Sequence, residues 1–236
     1  MTPYKDRAVV KFTNLLREVP QDIRDEVVAR AKDRLVAEAK KAKKEDLEKL
    51  FDSQIQTLRD RGCPEQIVEM LRGQKESVIQ KAGEMTLGQG NIPFIPVIPR
   101  TCLSPYSLMA MVKNGDKKGY TYLNSRAITD EVVTPEDPYY IYDVEDGEAM
   151  LGKAPQDAEK AIEKQGRFIL TAAETMALCT HGNVLLRHYV DATGSRHGSP
   201  NKVPYVFLAY GVRPELHRYD VDGADLKWGS PSCGSR

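Results

Sequence analysis

A tripeptide that could bind an anion occurs twice in the second half of the chain. The first copy, Gly-Ser-Arg, is residues 194–196, and the second is residues 234–236. Glycine permits a turn that exposes backbone N–H groups, serine adds a hydroxyl, and arginine offers a planar set of donors to a carboxylate or phosphate. The alternative is that glycine and serine only form turns and that Arg196 pairs with a nearby acidic residue. The predicted ligand-binding residues are Ser195, Arg196, Ser235 and Arg236.

Cys233 has the strongest case for a nucleophile in this sequence. It lies between two small residues, and Arg236 three positions later could favour the reactive thiolate. A cysteine enzyme also needs a base, and the four histidines, at positions 181, 188, 197 and 217, all lie away from Cys233 in the sequence. The alternative is a small buried cysteine that ties its segment to the core. Cys233 is therefore a catalytic candidate with an open structural alternative.

The cysteines and histidines do not form a recognisable metal motif. Cys179, His181 and His188 lie within ten residues, but no Cys-x-x-Cys pair occurs. On a helix, Cys179 and His181 would point in different directions. The sequence also lacks the glycine patterns of phosphate loops, dinucleotide-binding folds and serine hydrolases. We therefore predict no metal and no cofactor.

Charge and composition argue against two classes of partner. The chain has 34 basic and 34 acidic residues, and acidic residues flank its densest basic run, residues 40–44, at helical spacing. A chain with no net charge and no basic domain lacks a general electrostatic attraction for nucleic acid, so nucleic acid is not the expected partner. No stretch approaches the roughly 20 apolar residues that span a bilayer. Four well-separated cysteines suit a reducing compartment, so we expect a cytoplasmic protein without membrane contact.

The sequence of residues 228–236, Trp-Gly-Ser-Pro-Ser-Cys-Gly-Ser-Arg, resembles the ending of an uncharacterised bacterial family of domains of unknown function. The similarity extends upstream through residues 170–181, residues 194–196, and the pair Val203 and Pro204. This resemblance implies a bacterial, cytoplasmic origin. It implies no mechanism, but it points to the two Gly-Ser-Arg tripeptides and their neighbours.

The first 84 residues have the periodicity of helices. Apolar residues at three- and four-residue steps predict one helix over residues 4–19 and a second that begins at Asp22 and stops at Gly62. A third helix is predicted over residues 64–82. No strand is expected here. Together they predict a helical bundle or hairpin as a domain of residues 1–84.

A glycine-rich segment marks the start of a second domain, predicted over residues 85–236. Its strands and short helices alternate irregularly, which predicts an α+β fold with a compact mixed sheet. The predicted strands are 120–123, 139–144, 203–210 and 215–221, and the predicted helices are 104–111, 155–164 and 171–179. The last helix is predicted to begin with a capping box, because Glu174 follows Thr171 by three positions. The apolar run at residues 92–98 contains three prolines and predicts a buried segment at a sheet edge rather than a docking motif. Residues 228–236 are expected to be ordered and packed on this domain.

These observations predict a non-catalytic intracellular binding or interaction protein. The second domain would hold a small anionic ligand or a peptide, and the N-terminal helices would make a homo-oligomer or partner contact. The alternative is a cysteine-dependent hydrolase or transferase that uses Cys233 with a histidine and an arginine. Exposure of Cys233 in a cleft beside a histidine would favour the enzyme, whereas its burial would favour the binding protein.

Overall fold

The computed structural model describes residues 21–236, with side chains described from residue 25 onward. Contacts divide the chain into two compact units, and the second begins at Leu47. The helix predicted at residues 4–19 lies outside the described residues. None of the helices within residues 21–236 combines the length and apolar character that a membrane-spanning segment requires.

Three helices form the first part of the described chain. They are α1 (Gln21–Asp60), α2 (Glu65–Arg72) and α3 (Lys75–Glu84). The prediction of helices without a strand is confirmed for residues 21–84. The prediction of one continuous third helix over residues 64–82 is wrong, because this part of the chain forms two helices, α2 and α3. The Gln74 N–H bonds to Leu71 O at 3.1 Å, a three-residue step that tightens the turn and ends α2.

The rest of the chain contains short helices and strands in mixed order. The helices are α4 (Pro105–Met111), α5 (Pro155–Lys164) and α6 (Ala172–His181), with 3-10 turns at Ser125–Ala127, Glu148–Met150 and Val184–Leu186. The strands are β1 (Ile92–Val97), β2 (Lys113–Asn114), β3 (Lys117–Lys118), β4 (Tyr120–Thr121), β5 (Ile128–Asp130), β6 (Tyr139–Val144), β7 (Phe168–Ile169), β8 (Tyr189–Asp191), β9 (Ser195–His197), β10 (Lys202–Ala209), β11 (Arg213–Asp220), β12 (Trp228–Gly229) and β13 (Ser232–Cys233). The predicted helices and strands of this part are confirmed, although β4 is shorter than predicted.

The strands form one five-stranded sheet and four two-stranded ones. The five-stranded sheet has the order β12-β8-β10-β11-β4. Its centre is the β10–β11 hairpin, and β4 and β12 extend it through parallel pairs. The two-stranded sheets are β1–β6, β7–β13, β2–β3 and β5–β9. The predicted α+β class is confirmed.

The C-terminal part of α1 packs into the core of the second unit. Its buried apolar residues, three or four positions apart, are Leu47, Phe51, Ile55 and Leu58. The Phe51 ring stacks on Tyr140 of β6 with a centroid distance of 5.6 Å. Because α2 and α3 also bury their apolar faces in this core, contacts group them with the second unit, and the predicted domain boundary between residues 84 and 85 remains a prediction.

Two predictions about buried segments are confirmed. In the run at residues 92–98, Phe94, Ile95, Val97 and Ile98 are buried and Ile92 is partly buried. This run includes β1, which pairs with β6 in a two-stranded sheet, where prolines are tolerated. Residues 228–236 are ordered, because β12 pairs with β8 and β13 pairs with β7. Residues 229–233 are buried.

Candidate functional site

The N-terminal turn of α6 is the meeting point of the two Gly-Ser-Arg tripeptides. The capping box predicted from Thr171 and Glu174 is present: Thr171 Oγ1 accepts from the Glu174 N–H at 3.3 Å, and Glu174 Oε2 accepts from the Thr171 N–H at 2.8 Å. Residues 194–196 contact this turn through Ser195, and residues 234–236 contact it through Arg236. The structure therefore brings two distant parts of the sequence to one helix end.

Ser195 is buried, and its hydroxyl both accepts and donates a hydrogen bond within the protein. Ser195 Oγ accepts from the Ala172 N–H at 2.8 Å and donates to Asp130 Oδ1 at 2.5 Å. The other oxygen of Asp130 accepts from Arg100 at 2.7 Å. A hydroxyl with both a donor and an acceptor partner in the interior stabilises the fold and offers little to a ligand.

Arg196 is also paired within the protein. Its Nη2 donates to Glu159 Oε1 at 2.8 Å, and its Nη1 donates to the Thr193 carbonyl at 2.7 Å. Burial raises the pKa of Glu159, while the adjacent Arg196 acts in the opposite direction. The partner of Arg196 is thus an acidic residue, which agrees with the alternative that Arg196 pairs within the protein. This geometry favours a structural role for Arg196.

Arg236 forms the most deeply buried of these ion pairs. Its Nε donates to Glu174 Oε1 at 2.7 Å and its Nη2 donates to Glu174 Oε2 at 3.0 Å, so the pair is bidentate. The Glu174 side chain is 0% exposed, and Tyr139 donates a further hydrogen bond to it at 2.9 Å. Ser235 contributes its carbonyl, which accepts from the Tyr142 N–H at 2.9 Å. The second tripeptide therefore holds residues 234–236 against α6 and β6 through these contacts.

Cys233 is completely buried on β13, beside β7. Burial raises the pKa of its thiol to about 12, and the charge of Glu174 acts in the same direction. A thiol with this pKa is protonated at neutral pH and is a weak nucleophile. The geometry favours the structural alternative over the catalytic one.

A buried ion pair that the sequence did not reveal holds the same tail against β6. Arg167 donates to the carboxylate and to the carbonyl of Asp143, and to Ser232 Oγ at 2.8 Å. Asp143 also accepts from the Gly88 N–H at 2.8 Å and from Asn91 at 2.7 Å. Its backbone has a φ of 51°, a left-handed conformation that is uncommon outside glycine. Together, these contacts hold Asp143 in this backbone conformation. They also stabilise the end of the chain.

A pocket of about 320 Å³ opens where three helices end. α1 ends at Asp60, α4 at Met111 and α6 at His181, and the residues that follow these ends supply part of the wall. The pocket is lined by Arg61, Lys113, Asn114, Gly115, Cys179, Gly182, Asn183, Leu185, Leu186 and Leu208. We call this the Arg61–Lys113 pocket.

Two basic side chains define the polar side of the Arg61–Lys113 pocket. Arg61 Nη1 donates to the Met111 carbonyl at 2.9 Å, and Lys113 Nζ lies 3.4 Å from the Asp60 carbonyl. Each cation thus faces the carbonyl end of a helix, where positive charge is favoured. Neither cation forms an ion pair with a carboxylate among the side chains of residues 25–236. An arginine has five N–H donors and a lysine three, so most of their donors are available to a ligand.

Three leucines and a cysteine also line this pocket. Leu208 is buried, Leu185 is partly buried, and Leu186 is 67% exposed. Cys179 is buried, and burial raises the pKa of its thiol. On the polar side, Asn114 Nδ2 donates to the Val212 carbonyl at 2.8 Å and fixes the β2 turn. A pocket lined by two cations and three leucines suits a small organic anion.

His181 lies next to this pocket and lines a second cavity of about 10 Å³, which has room for about one water. Both ring nitrogens of His181 are buried, and neither has a hydrogen-bond partner among residues 25–236. Burial, together with the smaller effect of the nearby Arg61 charge, lowers the pKa of His181 to about 3. The imidazole is therefore neutral at physiological pH.

We expect replacement of His181 by leucine to remove a pH-dependent loss of stability. The unfolded imidazole takes up a proton near pH 6.5, whereas the folded one does so near pH 3, so the free energy of unfolding falls as pH drops from 6.5 towards 3. At pH 5 this loss amounts to about 2 kcal/mol. Urea unfolding at pH 7 and pH 5 measures it. The same loss in His181→Leu as in the unmodified chain would contradict the assignment, and His217→Leu on an exposed residue is the control.

Residues 49–215 match the model of a family described as a family of unknown function (DUF5701). No curated protein and no solved structure matches the chain. Every residue that lines the Arg61–Lys113 pocket lies within the matched range, whereas Cys233, Ser235 and Arg236 lie beyond it. The match covers more than half of the 236 residues. The chain therefore belongs to DUF5701, a family of unknown function.

Proposed function

We propose that the chain is a non-catalytic binding protein whose second unit holds a small organic anion in the Arg61–Lys113 pocket. The observation that carries the proposal is the pair of cations without carboxylate partners in a pocket of about 320 Å³. A volume of this size is at the lower end of the range for small-molecule sites. The tripeptides of the sequence analysis are not proposed as the site, because Arg196 and Arg236 already bind Glu159 and Glu174.

The chemistry of the walls defines the class of ligand. Arg61 offers a planar set of donors that matches a carboxylate or phosphate, and Lys113 adds a second positive charge. Leu185, Leu186 and Leu208 would cover an apolar part of the ligand. The proposed ligand is therefore a small molecule with one anionic group and one apolar group. A peptide with an acidic end shares this chemistry and is an extension of the same proposal.

A second part of the proposal concerns the exposed N-terminal part of α1. Residues 25–46 are exposed on all sides. An exposed helix with apolar residues suits contact with another protein chain. The binding protein would thus combine a ligand pocket in its second unit with a helical contact surface in its first.

Thermal unfolding with a panel of small molecules tests the pocket. The panel contains short alkyl carboxylates, alkyl phosphate monoesters, the corresponding alcohols, and inorganic phosphate. We expect an organic anion at 100 times its Kd to add about 2.7 kcal/mol of stability. For a unit of this size, that corresponds to a rise in Tm of roughly 5 to 10 °C. The alcohols should have no effect, because they lack the charge that Arg61 and Lys113 recognise.

A matched pair of lysine variants shows whether the rise in Tm comes from binding in the Arg61–Lys113 pocket. Lys113→Gln should abolish most of the Tm rise, whereas Lys117→Gln should retain it, because Lys117 lies exposed on the same hairpin but does not line the pocket. Both changes remove one positive charge. If no anion of the panel raises the Tm, or if the two variants reduce the rise equally, the proposed function is wrong.

A further inference from the structure

Asp191 of β8 is a buried acidic residue without a cation. It is completely buried, as Asp143 and Glu174 nearly or fully are, and each of those two residues is paired with an arginine. Asp191 forms no ion pair with any side chain of residues 25–236. A buried carboxylate without a cation is strongly disfavoured, so a carboxyl group in this position tends to retain its proton.

The groups that surround the Asp191 carboxyl supply no positive charge. Ser230 Oγ donates to Asp191 Oδ2 at 3.1 Å, whereas Asp191 Oδ1 has no hydrogen-bond partner among residues 25–236. Tyr205 of β10 lies opposite Asp191 in the sheet, and Tyr219 of β11 lies near it, with the negative charge of Asp225 close to Tyr219. Burial raises the pKa of Asp191 to about 7, and the smaller effects of Tyr219 and Ser230 act in the opposite direction.

The Ser230 hydroxyl belongs to a segment at the edge of the five-stranded sheet. This segment, residues 224–230, contains the two-residue strand β12, which ends the strand order beside β8. Residues 224–227 are exposed. On either side of the segment, β11 and β13 pair with other strands and hold the chain in place. A short edge segment between two fixed strands can open locally while the rest of the unit stays folded. We call residues 224–230 the β12 segment.

We infer that the proton on Asp191 controls the β12 segment, which stays closed while the carboxyl is neutral and opens more often when the carboxyl is ionised. Opening brings water to the carboxylate and so restores the solvation that burial removes. The inference goes beyond the proposed function. It uses no residue of the Arg61–Lys113 pocket, so either can fail alone.

The direction of the pH dependence follows from the two environments of Asp191. In the open state the carboxyl is in water, where the pKa of an aspartate is about 3.9, and in the closed state its pKa is about 7. The open state therefore binds fewer protons, so the opening equilibrium rises with pH from about 4 to about 7 and is constant above that range. His181 acts on stability in the opposite direction, so the test needs a local measurement.

Amide hydrogen exchange of the full chain, followed by NMR, measures this opening. The reporters are the N–H groups of Tyr189 and Gly152, which bond to the carbonyls of Lys227 at 2.8 Å and Trp228 at 3.1 Å in the β12 segment. After correction for the intrinsic exchange rate, we expect their opening equilibrium to rise about 50-fold between pH 5 and pH 7. A flat or falling profile over this range in the unmodified chain would overturn the inference.

A third amide shows whether the opening is local. The Gly234 N–H bonds to the Tyr142 carbonyl at 2.8 Å, away from the β12 segment. The two reporters should exchange at least about tenfold faster than Gly234 after the same correction, because they need only the β12 segment to open. Equal exchange of the three amides would mean that the whole unit opens at once and would overturn the inference.

Asp191→Asn assigns the pH dependence to one side chain. Asparagine has nearly the same size and keeps an acceptor for Ser230, but it does not ionise. In this variant the opening equilibrium of the reporters should agree within about twofold at pH 5 and pH 7. His188→Gln is the control for histidine titration and should retain the rise, because the His188 ring lies beside Gly229 and its Nε2 is 4.0 Å from Asp146 Oδ1. A rise that persists in Asp191→Asn, or disappears in His188→Gln, would contradict the assignment to Asp191.

Ser230→Ala provides a second variant in case Asp191→Asn does not fold. It removes a hydroxyl that donates to Asp191 and favours the ionised carboxylate. The pH above which the opening equilibrium becomes constant should therefore be higher in Ser230→Ala than in the unmodified chain. An unchanged or lower value would count against control by the Asp191 proton.

Discussion

Replacing Arg236 with methionine is expected to destabilise the second unit by about 3 to 5 kcal/mol. The Glu174 carboxylate is 0% exposed and forms a bidentate ion pair with Arg236, so the change leaves a buried charge without its cation. For a unit of about 190 residues, a loss of this size lowers the Tm by roughly 6 to 20 °C. Differential scanning calorimetry at neutral pH measures it.

Two further variants show whether the loss of stability in Arg236→Met comes from the unpaired buried charge or from lost packing. Arg236→Met combined with Glu174→Gln should recover part of the lost stability, because the amide keeps an acceptor for the Thr171 N–H without a charge. Arg196→Met should cost less than Arg236→Met, because its partner Glu159 is 20% exposed. A Tm within about 2 °C of the unmodified chain for Arg236→Met would reject the structural role assigned to this ion pair.

Alkylation of Cys233 in the folded chain is expected to be at least about 1,000 times slower than alkylation of a free cysteine. Burial raises the pKa of this thiol to about 12, which leaves only a very small fraction of thiolate at neutral pH, and the side chain is completely buried. Iodoacetamide labelling followed by mass spectrometry of the peptides gives the rate for each cysteine.

Cys102 serves as the internal reference, because it is only partly buried whereas the other three cysteines are buried. It should react first in the folded chain, and all four cysteines should react in urea. Rapid labelling of Cys233 under native conditions would show an accessible thiolate and would restore the cysteine-dependent enzyme as the better hypothesis.

Local sequence patterns were sufficient to predict most elements of the fold. The capping box of Thr171 and Glu174 predicted the start of α6, because its two hydrogen bonds depend only on residues three positions apart. Hydrophobic periodicity predicted α1 for the same reason. The break after Gly73 was missed, because Leu71 and Val78 keep the helical period on both sides of the turn and both are buried.

The candidate site could not be predicted in the same way, because its contacts are distant in the sequence. Arg61 and the Met111 carbonyl are 50 positions apart, and no local pattern brings them together. The sequence predicted ligand binding at the tripeptides, but the partners of their arginines lie 37 and 62 positions away in the same chain. The composition of a tripeptide indicates which bonds it can form, and only the fold decides whether a ligand or the protein itself forms them.

Amide chemical-shift mapping tests the anion pocket most directly. The isotope-labelled full chain is titrated with the organic anion that gives the largest rise in Tm, and shifts of backbone amides are followed to saturation. We predict that the largest shifts cluster at Gly115, Gly182 and Asn183, which line the Arg61–Lys113 pocket. Largest shifts at residues 194–196 and 234–236, or no saturable shift at the pocket, would contradict the proposed function.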